Sequence, residues 1–496
     1  MKPRASTPGL PLLGLPLAAV AVLVLVAAVA TAVGAEKGKI PITTKSETAL
    51  GYYLGGRDLV ERLRGQDARE YFEKAVAEDP DFAMAHLSLG LVSTTTEGFF
   101  GNLAKAKALV DRVSEGERLM ILGTEAGAIG LPLKQRDYYK KLVAAYPEDE
   151  RALNLLGGNY FALQDYFLAI EQYEKARMVE PEHSPTYNQL GYCRRFLGDY
   201  SGAEKAFQHY IQMIPDDPNP YDSYAELLMK MGKYDESIEL YRKALAVDSN
   251  FVASRIGIAS DLNFKGRHEA ARAELDKLYA MARSNGERRA AHFARAVSYV
   301  DQGDMAGAVA ELEKQYALAE AIGDAGAMAG DLGAMGDVLC ESGKFDEALG
   351  KYQLAHKLIK ESDLSDQIKS NADLTLLYTT GYVAARTGNL AEARVKAREY
   401  LKGAEALGNP NFVRLAHQLL GLIALEDKDY KKALKEFEQT SQQNPYTLYR
   451  VALAYNGAGD TAKAKEFAEQ AANYNALNNM AQGYVRAKAR QLAASL

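Results

Sequence analysis

Between Arg151 and Asp248 apolar side chains recur three and four residues apart in short runs, and polar turns separate the runs. Leu153, Leu156 and Tyr160 form one run; Ala169, Ile170, Tyr173 and Ala176 form the next. This is the period of an α-helix with one apolar stripe, so the stretch predicts short helices in pairs. A fixed ladder runs through them. Starting at Gly157 it reads Ala169, Tyr173, Ala176 and Pro181. It returns 34 residues on as Gly191, Ala203, Phe207, Tyr210 and Pro215, and after another 34 as Ala225, Ser237, Tyr241, Ala244 and Ser249. Gly157, Gly191, Ala225, Ala169 and Ala203 are small where two antiparallel helices must approach, and a larger side chain there overpacks the contact by about 1–3 kcal/mol. Gly198 and Gly232 sit where the first helix must end and the chain turn back.

A 34-residue period with these small, aromatic and turn positions resembles the tetratricopeptide repeat, a helix-turn-helix unit. The resemblance implies an all-α fold, a right-handed superhelical solenoid in which each hairpin covers the apolar face its neighbour leaves open. About twelve units fit between Ala49 and roughly Asn475. Residues 49–285 form an array of ~34-residue units. Residues 286–475 form an array of longer units, because the slots Ala296, Gly336, Gly381 and Gly421 lie 40, 45 and 40 apart. The segment 476–496 reads as a capping helix, with Met480, Tyr484, Val485 and Leu492 on the packed stripe and Arg486, Lys488 and Arg490 on a wet face. Thr94 to Gly101 interrupts the second unit and predicts an irregular turn. Phe99 and Phe100 in it either touch a partner or cap the core of that unit.

Before the repeats, Lys2 and Arg4 precede an almost wholly apolar run from Leu10 to Val33, and Val33-Gly34-Ala35 offers small residues for cleavage. Residues 1–35 are therefore expected to be a signal peptide or an uncleaved membrane anchor. Either places the repeats in an exported, periplasmic or otherwise extracytoplasmic setting, or beside a membrane. Residues 36–48 are polar and read as a linker.

Charge narrows the partners. Lys and Arg number 59 against 65 Asp and Glu, a net of -6 without long basic runs, which argues against nucleic acid. The two cysteines, Cys193 and Cys340, lie in units that are not neighbours, so they read as small apolar fillers. Candidate chemistry fails at each motif. His268-Glu269-Ala270-Ala271-Arg272 begins like a zinc-protease helix but places Arg272 at the second ligand. The glycines from Gly333 to Gly343 lack phosphate-loop spacing, and the seven histidines form no pair at metal-ligand spacing. No catalytic residue, metal or cofactor is expected.

What remains is a surface that binds a protein or peptide. In tetratricopeptide proteins the first helix of each unit lines the concave wall, and the resemblance carries that role to first-helix residues pointing away from the packed slots. These are Asn154 and Phe161, then Asn188, Tyr192 and Arg195, then Asp222, Glu226 and Met229. They mix donors, acceptors and apolar contact, as an extended peptide requires. Gly158, Asp222 and Glu226 depart from the basic cluster with which some members grip a C-terminal carboxylate. An alternative occupant is a small molecule or glycan held in the superhelical hollow.

Overall fold

The computed structural model describes residues 38–496; the apolar leader lies outside them. Twenty-five α-helices and no strand occur among the described residues. Twenty-four of the helices pair as twelve antiparallel hairpins, from Glu47–Glu61 with Gly65–Glu78 to Pro445–Gly457 with Thr461–Ala472, and Met480–Ser495 follows. No described helix is long and apolar enough to cross a membrane.

Local chemistry sets the boundaries. Asp149, Asp217, Asn409 and Asn444 each accept a hydrogen bond from a backbone amide at the start of their helix, three of them directly before a proline. Gly198 and Gly232 take φ of +78° and +79°, the left-handed conformation that lets the chain reverse between the two helices. Close packing then follows the ladder. A Cβ on Gly157 would stand 2.6 Å from Tyr173 Cε1, and one on Gly191 would stand 2.5 Å from Phe207 Cε1. The rings of Tyr173, Phe207, Tyr241 and Phe437 are fully buried in these slots. Helices of the fourth to seventh units have 13 or 14 residues, whereas those from Asn285 to Glu426 have 16 to 21.

The solenoid also meets itself. Thr96 N donates to Asp324 at 2.8 Å, and Arg414 donates to the Leu163 carbonyl at 2.8 Å; each bond joins units seven apart. Asn409 reaches the Gly130 carbonyl, Gln164 reaches Ser441, and Lys230 reaches the Tyr474 carbonyl. The hairpin turns of the early units thus rest on the inter-unit loops of the late ones. Units beyond sequence neighbours do touch, contrary to the premise used for the cysteines, yet Cys193 and Cys340 remain free and buried.

Three expectations are corrected. The stretch expected as an irregular turn is mostly helix: Thr95 caps Thr96–Ala108, and Phe99 and Phe100 meet edge to face at 4.9 Å against the core of the first units. In the terminal helix, Arg486 does not face water. It lies between that helix and Asn285–Gln302, bonded to Asp301 and to the carbonyls of Asn263 and Phe264. Residues 38–46, within the stretch expected to be a linker, are not a free tether but lie docked on the first four units.

Candidate functional site

The docked segment shows how the array holds an extended chain. Each corner between successive units presents one carboxylate to it. Asp149 accepts from Ile40 N at 2.9 Å, Glu117 from Thr43 N at 2.8 Å, and Asp79 from Lys45 N at 3.0 Å. Ser114 Oγ donates to the Pro41 carbonyl, Lys39 Nζ pairs with Glu150 at 2.5 Å, and the Ile40 side chain packs against Gly116 and Tyr146. Main-chain bonds supply the grip and an apolar side chain supplies the register, as in extended-peptide recognition.

Beside the segment opens a hollow of about 590 Å³, walled by the first helices of the first four units and by residues on either side of them. Leu50, Leu54, Met84 and Met120 give it an apolar floor; Glu61 and Glu150 are paired there with Arg151 and Lys39, and Glu180 and Glu182 give it an acidic rim. Burial raises the pKa of Glu61, but the neighbouring His183 and Arg151 outweigh it and hold the carboxyl at about 2. Glu61 is thus already paired, with Arg151 at 3.0 Å. His183 is buried at the rim; Thr186 engages its Nδ1 at 2.9 Å, while Nε2 has no hydrogen-bond partner and stands 4.0 Å from Glu61. The hollow can accept a cationic and partly apolar segment.

The eight residues singled out from the sequence lie further along the same wall. Tyr192, Arg195 and Glu226 come together: Tyr192 OH donates to Glu226 at 2.9 Å, and Arg195 pairs with Glu226 at 2.5 Å while stacking 4.8 Å from the Tyr192 ring centroid. Asp222 is buried and accepts from Ser254 at 2.7 Å, and burial pushes its pKa up to about 7. Asn154 donates to Thr186 at 3.0 Å, and Phe161 meets Tyr166 and Phe196 edge to face. Asn188 is buried with its Oδ1 unpartnered, and Met229 is wholly buried, apart from the polar group. These residues chiefly tie first helix to first helix, and the loops at Ser441–Gln443 and Tyr474–Asn475 come against the ends of the same helices. The N-terminal hollow, absent from the sequence-derived set, is built from positions with no periodic mark. Its only sequence signal was the acidic residue recurring at unit corners.

Potential reactive groups are absorbed structurally. His268 Nε2 meets Asp301 at 2.8 Å, and burial raises the Cys193 and Cys340 thiols to about 12 and about 11. No group of three His, Cys, Asp or Glu side chains among the described residues is placed to hold a metal ion.

Models of the tetratricopeptide repeat match residues 53–113, 184–217 and 219–251. Among curated proteins, the chain is 27% identical over 212 residues to the peroxisomal targeting signal receptor of Kluyveromyces lactis, covering 42% of this chain and 37% of that protein. It is 22% identical over 206 residues to anaphase-promoting complex subunit 6 of Arabidopsis thaliana, covering 40% and 32%. It is 25% identical over 135 residues to the general transcriptional corepressor trfA of Dictyostelium discoideum, covering 27% and 10%. The chain spans well under half the length of these relatives. Among solved structures it is similar to a tetratricopeptide repeat protein from Parabacteroides merdae, with TM-score 0.36 and 18% identity over 51% of this chain and 99% of that one. A thermophilic protein of the same repeat class from Thermus thermophilus gives TM-score 0.29 and 22% identity over 43% and 98%.

Proposed function

Since this chain is a tetratricopeptide-repeat protein, we propose that it is a non-catalytic scaffold holding an extended segment of a partner protein in the N-terminal hollow. The observation that carries this reading is the chain's own segment 38–46. Its main-chain amides are held by Asp149, Glu117 and Asp79 at successive unit corners, beside space that the segment does not fill. The acidic pair Glu180 and Glu182 selects lysine or arginine, and Leu50, Leu54, Met84 and Met120 select an apolar neighbour. A targeting-signal receptor and a subunit of a multiprotein complex among the relatives support protein binding as the activity. In the same reading the basic start and apolar run of residues 1–35 either export the scaffold, released after cleavage, or tether it beside a membrane.

An array of short synthetic peptides, with lysine or arginine beside apolar residues and glutamate-substituted counterparts, tests the assignment by fluorescence anisotropy. The cationic set binds, and Glu180→Gln with Glu182→Gln weakens it by roughly tenfold. Equal binding of the acidic set, or no response to the double substitution, overturns the site. Mass spectrometry of the native amino terminus tests export, with a start at Glu36 expected for cleavage.

A further inference from the structure

A second, smaller chamber lies in the C-terminal half of the hollow. It measures about 230 Å³ and shares no lining residue with the first. First-helix residues of the last four units wall it, and Tyr484 of the terminal helix closes one side. Tyr352, Tyr378, Tyr382, Tyr446 and Tyr484 supply its surface.

Two charges in this chamber have no oppositely charged group within pairing distance among the described residues. Arg450 is only 4% exposed, yet its sole hydrogen bond runs from Nη2 to Tyr382 OH at 3.2 Å, and no carboxylate stands within ion-pairing distance among the described residues. Its guanidinium stacks on Tyr446, 4.1 Å from the ring centroid, which fixes the plane of the fork without satisfying its N–H groups. The nearby Glu341 acts on it only through space, being already bonded to Tyr446, Arg386 and Lys488 at 2.5, 3.0 and 3.1 Å. Asp337, on the same chamber wall, accepts one hydrogen bond, from Tyr352 OH at 2.8 Å, and has no cation within pairing distance among the described residues. Its side chain is exposed at the chamber wall. Arg450 and Asp337 do not pair with each other. A buried guanidinium left without an anion is costly, and a ligand anion removes that cost.

We propose that this chamber binds a small zwitterion of the amino-acid class, its carboxylate held by Arg450, its ammonium held by Asp337 and its hydrocarbon part laid against the tyrosine rings. The fork of arginine suits a carboxylate, and aromatic faces next to a carboxylate suit an ammonium. The chamber is below the ~300–1,000 Å³ of sites for larger ligands, which limits the occupant to a compact molecule. The assignment does not depend on the peptide hollow, and either can fail alone.

Isothermal titration of the full-length protein with each of the common free L-amino acids tests it. At least one binds, and its deaminated acid and its decarboxylated amine each bind weaker by roughly tenfold or more. Arg450→Gln and Asp337→Asn each weaken the zwitterion by a similar factor; Asp337 faces the open chamber, so its variant retains the parent's circular dichroism and melting temperature. Three results overturn the proposal: no heat from any amino acid at millimolar concentration, a deaminated acid that binds as tightly as its parent, or a properly folded Asp337→Asn with undiminished affinity.

Discussion

A single methylene decides whether two helices of a unit can close. Gly157 lies under the Tyr173 ring, so Gly157→Ala pushes the ring out of its slot and lowers stability by about 1–3 kcal/mol. Gly330 sits on an exposed helical surface with nothing near its missing Cβ, and Gly330→Ala raises stability by about 0.5–1 kcal/mol through lost chain entropy. Urea unfolding of the two variants should therefore shift in opposite directions. Asp261 makes a second case. It is wholly buried, neither carboxyl oxygen has a hydrogen-bond partner, and burial raises its pKa to about 8. The unfolded chain ionises this group from ~3.9 upward while the fold keeps it protonated, so stability falls as pH rises between those values. Asp261→Asn should be more stabilising at pH ~8 than at pH ~4, by at least ~1 kcal/mol, and parallel pH profiles of melting temperature would refute this. The glycine and aromatic slots were legible because each obeys a local spacing. Asp261 was not, because a carboxylate on a helix looks solvated until its surroundings are known. Gln135 shows the same limit: its Oε1 accepts from Asn159 of the next unit at 2.9 Å, a bond no local spacing records.

Among elements, the segment before the first hairpin and the helix after the last departed most from expectation, and for one reason. Composition makes residues 38–46 polar and the last helix amphipathic, but both lie against parts of the solenoid distant in sequence. Arg486 joins the terminal helix to the eighth unit through Asp301, itself buried, and through the carbonyls of Asn263 and Phe264. Arg486→Met should cost about 3 kcal/mol by stranding that charge, with His268 still holding one oxygen of Asp301. Hydrogen exchange should then accelerate across Met480–Ser495 while the first units stay protected. Uniform acceleration along the chain would show instead that the helix is not a separately docked element.

For the molecule as a whole, contacts between units seven apart convert a linear stack into a coil whose successive turns bear on one another. A solenoid limited to nearest neighbours unfolds piecewise. Here Lys230 reaches the Tyr474 carbonyl and lies 3.3 Å from the Tyr474 ring centroid, and Tyr234 reaches Asn475 at 2.9 Å. Deleting residues 474–496 should uncover these turns and speed tryptic cleavage after Lys230 and Lys233, as read by mass spectrometry. An unchanged cleavage pattern would mean that the second turn of the coil does not shield the first. The same winding brings the last loops against the central helices, where the concave wall was expected to be open, and leaves accessible hollows towards each end.

The lengthening expected over 286–475 stops at Glu426, the helices Tyr430–Phe437, Pro445–Gly457 and Thr461–Ala472 having 8, 13 and 12 residues. Local sequence by itself determined the all-helical fold, the hairpin as its unit and the small-and-aromatic slots. All of these follow from spacings within some forty residues, where periodicity and turn chemistry act directly. Tertiary structure alone decided which turns rest on which loops, that residues 38–46 dock, that Arg486 is buried, and where the wall stays hollow. Those outcomes depend on the small rotation between successive hairpins, summed over seven units. No local pattern of residues records that sum.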